Sequence, residues 1–230
     1  MKFLSGQESL ACLLKRMNSR HSFFRMLVYE ELERSPLSGK TLDIGGGDAV
    51  GYRDLLPRQV EYESMNISHA LLPTIVGSVE NGIPRPDGYY ESVMSLSTLE
   101  HIFDERSALL EAYRVLAPGG HMCIAVPFLY RVHGAPDDFH RHTIYWWRRT
   151  LEEMGFDAQQ TRISALSLGP ITSGYSIFEF NPLRVVLRRL ALLGDFILIQ
   201  LLRMHPKYRD RVAGRIGDFA LGYFISARKA

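Results

Sequence analysis

From Lys40 onward, short apolar runs alternate with amphipathic stretches. Thr41–Gly46, Tyr62–Ile67, Thr74–Gly77, Ser92–Leu96 and His121–Val126 read as strands, and Tyr52–Leu56, Glu105–Leu116 and Tyr145–Met154 as helices. Continuous apolar runs bounded by turn residues suit strands buried on both faces, and helical spacing between them suits crossover helices. The alternation predicts a parallel sheet covered on both sides, an α/β three-layer sandwich.

The pattern changes at both ends. Residues 7 to 33 place apolar and charged side chains at helical spacing, and Ser35-Pro36 and Ser38-Gly39 then punctuate the chain. This predicts an N-terminal helical cap over 1–39 ahead of an α/β domain over 40–230. After a predicted strand over Phe156–Ser164, residues 165 to about 216 are apolar and basic, with a Gly/Pro/Ser-rich opening and helical character beyond it; Phe219–Arg228 resumes strand character. A helical insertion before the last strand is expected. No internal repeat is visible, and 230 residues with 46% hydrophobic content support the core of one such domain.

Charge and cysteine usage narrow the partners. With 27 basic and 25 acidic residues interspersed, the chain shows no broad basic surface, so no nucleic-acid partner is expected. Cys12 and Cys123 make no disulfide framework and the first residues read as no secretory signal, so a cytoplasmic protein is expected. The longest apolar stretch, Leu183–Leu202, is interrupted by Arg184, Arg188, Arg189 and Asp195, too many charges for a lipid-spanning helix. On a helical wheel Arg184, Arg188 and Asp195 fall together, Arg189, Gln200 and Arg203 adjoin them, and the remaining sector is apolar. That sector has four open uses: packing on the sheet, closing a substrate pocket, pairing two copies as a homodimer, or resting peripherally on the inner face of a membrane. Gly194 is a place where this helix, over 183–203, would split.

The chemistry-bearing motif begins at Asp43, one residue before the end of the first strand's apolar run. Gly45, Gly46 and Gly47 follow at once, where glycine allows a tight turn and a close approach of ligand to backbone, and a following helix would offer unpaired N–H groups. A dinucleotide fingerprint would require glycine at position 50, which is Val50, so NAD is the second choice of cofactor.

An acidic residue ahead of Gly-x-Gly, together with Ser92–Phe128, which runs as a strand, a Leu99-Glu100-His101 turn, an amphipathic helix, a Pro-Gly-Gly turn and another strand, resembles class I S-adenosylmethionine-dependent methyltransferases of the type 11 kind. The resemblance covers residues 40 to 164 and the terminal strand. It implies a Rossmann-like seven-stranded sheet, S-adenosylmethionine as cofactor, and a binding site comprising Asp43, Gly45, Gly46, Gly47, Asn66, Ile67, Ser78, Val79 and Leu96. Two positions depart from the family pattern. Asn66 stands where an acidic residue binds the ribose hydroxyls, and Ser78 where an aspartate takes the adenine amino group; each neutral side chain hydrogen-bonds more weakly than a carboxylate. Glu61 and Glu63 stand close enough in sequence for a shift of register to exchange roles with Asn66. The segment His133–Thr143 resembles a subgroup associated with cell-surface polysaccharide or secondary metabolism.

Methyl transfer to a hydroxyl requires alignment and removal of a proton, and histidine titrates in the useful range. His101, His133 and His140, all after predicted strand ends, are the candidate bases; Asp138, Arg141 and Trp146 are candidate substrate ligands, with Arg141 also able to pair with Asp137 or Asp138. Of the two tryptophans, one ring is expected in the core and one at the cleft. His133, Asp137, Asp138, His140 and His142 match no closed metal-binding spacing, so no metal is expected. The sequence therefore points to O-methylation of a glycan, a lipid-linked sugar or a small metabolite. The alternatives are a catalytically silent binding protein on the same fold, motivated by Asn66 and Ser78, and an NAD-dependent oxidoreductase.

Overall fold

A computed structural model of the chain describes residues 10–134, 136–177, 183–205 and 216–230. Seven strands, β1 (Gly39–Ile44), β2 (Val60–Asn66), β3 (Ile75–Val76), β4 (Tyr90–Leu96), β5 (Leu116–Pro127), β6 (Arg162–Leu166) and β7 (Gly222–Arg228), form one sheet in the order β3-β2-β1-β4-β5-β7-β6. The described α-helices are α1 (Leu10–Asn18), α2 (Phe23–Leu32), α3 (Glu105–Val115), α4 (Ile144–Glu153), α5 (Pro170–Ile177) and α6 (Arg184–Met204). The chain divides into two compact units, Tyr29–Pro127 with Val132–Ile163 and Tyr223–Ala230, and Met1–Val28 with Phe128–Arg131 and Ser164–Gly222.

In the larger unit, β1 to β5 are parallel. Thr41 to Ile44 in β1 and Ser92 to Leu96 in β4 are buried without interruption, as their apolar runs predict. The chain leaves β1 on one side for β2 and returns on the other as β4. The carboxyl ends of β1 and β4 thus flank a topological switch point, the place where open α/β sheets collect ligands. Helix α3 buries Ala108, Leu109, Ala112 and Val115, and its first turn is capped by Asp104, whose carboxylate accepts from Ser107 N at 3.1 Å.

Three expectations in this unit change. The helix predicted over Tyr52–Leu56 is a single 3₁₀ turn, Arg53–Leu55, and the crossovers after β2 and β3 are likewise single turns, His69–Leu71 and Val79–Asn81. Gly51 and Pro57 in a short connection leave no room for more. The Pro-Gly-Gly turn lies inside β5 as a bulge. Leu116 pairs with Tyr90 and His121 with Ser92, so the residues between are looped out, with Gly119 at φ +75°. The strand predicted from Phe156 starts only at Arg162. Phe156 makes an isolated bridge to Lys229, and the Asp157 carboxylate turns the chain by accepting from Gln159 N and Gln160 Nε2, both at 2.8 Å.

In the smaller unit, α1 and α5 pack on α6. The predicted N-terminal helical cap holds two helices, α1 and α2, separated by 19–22; residues 7–9 of it lie outside the described residues, as do 178–182 and 206–215 of the predicted insertion. Gly194 does not split α6. A side chain there would meet Ile171 Cδ1 at 3.0 Å, so the glycine lets α5 approach. Asp195 leaves the predicted polar stripe altogether. It is buried and accepts from Ile171 N (3.1 Å), Thr172 N (2.7 Å) and Thr172 Oγ1 (2.8 Å), satisfying the first turn of α5 behind Pro170. The apolar sector divides: Leu192 and Ile199 are buried, while Val186, Leu190, Leu193, Ile197 and Leu201 are exposed.

Candidate active site

At the carboxyl ends of β1 and β4 lies a cleft of about 410 Å³, within the range of small-molecule sites. Of the residues expected to hold a cofactor, Gly45, Asn66, Ile67, Ser78 and Val79 line it, together with Met65, Ser68, Leu71, Ser97, Thr98, His101, Ile102 and Pro136. Asp43, Gly46, Gly47 and Leu96 are not on its wall. Leu96 is the last residue of β4, and the exposed turn comes one residue later, where Ser97 adopts φ +54°, a conformation unusual outside glycine.

The glycine loop is crowded by the protein itself. A Cβ on Gly45, which has φ +90°, would fall 2.0 Å from Thr98 Oγ1; on Gly46, 1.9 Å from Asp43 Oδ2; on Gly47, 2.0 Å from the Leu71 carbonyl oxygen. Only Gly45 faces the cleft, so two of the three glycines are required by the loop's own packing rather than by a ligand. Asp43 is fully buried. Its Oδ2 accepts from the hydroxyls of Tyr52 and Tyr62, each at 2.7 Å, and the Tyr62 hydroxyl in turn accepts from Gly47 N at 3.1 Å. Burial pushes the Asp43 carboxyl up to about 6, against the lowering effect of the two hydroxyls and of Arg53, whose guanidinium stacks 3.6 Å over the Tyr62 ring.

Asn66 explains its departure from the family pattern. Its Nδ2 donates to the carbonyls of Gly45 (2.7 Å) and Gly46 (3.2 Å), and its Oδ1 accepts from Ser68 N (2.9 Å). A carboxylate here would face two carbonyl oxygens, so the amide is what this loop requires. Ser78 accepts from Glu80 N at 3.2 Å and opens the 3₁₀ turn that carries Val79.

The other wall is built by the segment after β5. Phe139 N donates to the Glu100 carbonyl (2.8 Å), His101 Nδ1 to the Asp137 carbonyl (2.5 Å), and His140 Nε2 to the Phe103 carbonyl (3.1 Å), while His142 Nε2 meets Glu105 Oε2 at 2.6 Å. These contacts stitch residues 137–142 onto the Leu99–His101 turn and the start of α3. The candidate bases separate: His101 lines the cleft, His133 packs edge-to-face on it with ring centroids 5.0 Å apart, and His140 stacks on His142 at 5.2 Å. Asp138 and Arg141 pair with each other, Arg141 Nη2 to Asp138 Oδ2 at 2.6 Å, and His133 N donates to Asp138 at 2.9 Å. Burial alone would raise the Asp138 carboxyl, but Arg141 holds it down to about 2. Trp147 takes the core position and Trp146 stacks on His142, 3.6 Å between centroids with the rings nearly parallel.

Residues 42–124 match the family described as a methyltransferase domain. That match runs from β1 into β5 and covers about a third of the chain. A Mycolicibacterium smegmatis protein named a probable S-adenosylmethionine-dependent methyltransferase is 26% identical over 112 residues, 44% of this chain and 43% of that one, so the match spans less than half of the curated relative's length. Among solved structures, an S-adenosylmethionine-dependent methyltransferase from Archaeoglobus fulgidus is similar over 96% of this chain and 100% of its own, at 19% identity and a TM-score of 0.57. A chain from the Haloferax volcanii complex between the Trm112 methyltransferase activator and a methyltransferase is similar over 93% and 92%, at 18% identity and a TM-score of 0.55. The fold is the Rossmann-like methyltransferase fold.

On this fold, the dinucleotide alternative loses its physical anchor. A pyrophosphate needs the N-terminus of the helix after β1, and that connection holds only the 3₁₀ turn Arg53–Leu55. S-adenosylmethionine carries no phosphate, and the apolar Ile67 and Val79 beside the polar Asn66 and Ser78 fit a flat base joined to a sugar. Tyr52, Tyr62, Ser97, Thr98 and Glu100 are site residues that sequence reasoning missed. The tyrosines lie on separate elements and meet Asp43 only through the fold; Glu100 carried a signal, standing in the Leu-Glu-His turn next to His101.

Proposed function

We propose that the chain transfers a methyl group from S-adenosylmethionine to a hydroxyl of a glycan, a lipid-linked sugar or a small metabolite. The observation that carries this reading is the cleft at the switch point, with the glycine loop on one wall and His101 on the other. When bound, S-adenosylmethionine supplies an electrophilic methyl group on a sulfonium centre. The protein's own contribution is orientation: Asn66 fixes the loop, Ile67 and Val79 offer apolar faces to the adenine, and His101 with His133 receives the acceptor. Asp138, Arg141 and Trp146 hold the segment that presents His133, with His140 as a brace against Phe103.

Calorimetric titration with S-adenosylmethionine should give one saturable site. No heat at millimolar ligand would remove the enzyme reading and leave a silent binding protein on this fold. A lipid-linked acceptor is favoured among the three classes by the exposed stripe Val186, Leu190, Ile197 and Leu201 on α6. No described helix is long and apolar enough to cross a membrane. Sedimentation with anionic vesicles tests a peripheral contact, and a chain that stays in the supernatant rejects it.

A further inference from the structure

The turn Leu99–His101 places two metal-binding side chain types in succession, and the segment after β5 brings a third to them. Glu100 is buried, its side chain 1% exposed, and neither of its carboxylate oxygens is hydrogen-bonded to another residue. A buried carboxylate without partners is costly, and such groups are ordinarily paired or bound to a cation. Glu100 Oε1 lies 3.8 Å from His101 Nε2. His101 donates its Nδ1 proton to the Asp137 carbonyl, which leaves the lone pair on Nε2, the atom facing Glu100. His133 turns Nδ1 toward Asp138 Oδ2 at 3.3 Å, the carboxylate backing that orients metal-bound imidazoles. One ligand atom from each of Glu100, His101 and His133 lies within 4.8 Å of the other two.

A second cluster, Glu105, His140 and His142, meets the same distance criterion. Its atoms are already engaged: Glu105 Oε2 holds His142 Nε2, and His140 Nε2 donates to the Phe103 carbonyl. The unpartnered carboxylate and the cleft-lining histidine belong to the first cluster alone.

We propose that Glu100, His101 and His133 form a site for one first-row divalent cation at the acceptor end of the cleft. Two imidazoles and one carboxylate suit Zn²⁺ and its neighbours, and three protein ligands leave a position open. An acceptor hydroxyl entering the open position gives its proton to water more readily, because the cation stabilises the alkoxide. That use rests on the methyl-transfer reading; the cation site itself does not. The proposal departs from the expectation of no metal, which was drawn from spacing along the sequence, where Glu100 and His133 belong to different segments.

Zn²⁺ titrated calorimetrically into the full chain should bind at one equivalent with micromolar affinity or better, and Co²⁺ should give visible absorption bands of a four- or five-coordinate ion. Glu100→Gln and His133→Ala should each weaken Zn²⁺ at least tenfold, whereas Glu105→Gln should leave it unchanged. His133 is on a partly exposed segment, so its variant keeps the test decisive if Glu100→Gln fails to fold. Absence of saturable Zn²⁺ binding, or binding indifferent to both substitutions, overturns the site. S-adenosylmethionine is titrated in parallel: heat from the cofactor without Zn²⁺ binding removes this inference alone, and Zn²⁺ binding without cofactor heat leaves the site standing while removing the methyl-transfer reading.

Discussion

The two walls of the cleft are built on opposite principles. On the glycine-loop wall, Asn66 spends its amide on Gly45, Gly46 and Ser68; behind that wall Asp43 Oδ2 holds two tyrosine hydroxyls, and the glycines stand close against neighbouring protein atoms. On the histidine wall, hydrogen bonds fix the segment's backbone and its outer rings, but the buried Glu100 carboxylate is left without a partner. The polar side chains that line the first wall, Asn66 and Ser78, are paired and hold one shape, while behind them the buried Asp43 Oδ1 is itself without a hydrogen bond. Behind the second wall, the buried Glu100 carboxylate without a hydrogen bond is the group that the proposed cation would complete.

The sharpest way to break the comparison is the titration of Asp43. Its carboxyl, raised by burial to about 6 from the ordinary 3.8, is easier to keep protonated when folded than when unfolded. The sign follows: its contribution to stability is greatest below about pH 4, declines as pH rises to about 6, and is constant above that. The total is about 3 kcal/mol, from about 1.4 kcal/mol per pKa unit. Asp43→Asn removes the titration while keeping an acceptor for Tyr52 and Tyr62. Urea unfolding of both proteins from pH 4 to 7 should show the variant gaining on the native chain as pH rises. A constant difference would mean that Asp43 is already compensated as a charge, and the glycine-loop wall would need a cation of its own.

Asn66→Asp is the next largest effect. It replaces a donor to two carbonyls by a carboxylate facing them, at a cost of about 1–3 kcal/mol in stability. If the acidic residue common in the family instead improves cofactor binding here without loss of stability, measured by calorimetry and thermal unfolding, then the Asn66 amide does not hold the loop.

Much of the sheet was legible because central strands advertise themselves: Leu42 to Ile44 and Val93 to Leu96 are apolar runs whose burial is what their composition demands. The crossovers were not, since a pattern such as Tyr52–Leu56 is compatible with a helix and only Gly51 and Pro57 on either side of it hold it to a turn. Asp195 misled for a related reason. A charge on an amphipathic helix reads as solvent-facing until the partner it satisfies, the first turn of α5, is known. In the site, residues adjacent in sequence were readable and those joined by the fold were not. Gly45, Ser78 and His101, which line the cleft, stand in local motifs, while the Tyr62 hydroxyl between Asp43 and Gly47 and the Glu100–His133 proximity depend on tertiary pairing.

The smallest expected effect separates the walls most cleanly. The Trp146 ring lies 3.6 Å from the His142 ring and nearly parallel to it, and His142 in turn holds Glu105 at the start of α3. Trp146→Ala removes the stack, worth about 1 kcal/mol, and loosens one of the contacts that press residues 137–142 onto α3. Global stability should fall by only about that much. Hydrogen exchange should accelerate locally, at Phe139 N on its bond to the Glu100 carbonyl, and cofactor affinity on the opposite wall should stay within a factor of two of the native chain. Equal weakening of cofactor binding and of protection at Phe139 would show that the walls move as one body, and the division between a paired wall and an open one would then have no energetic meaning.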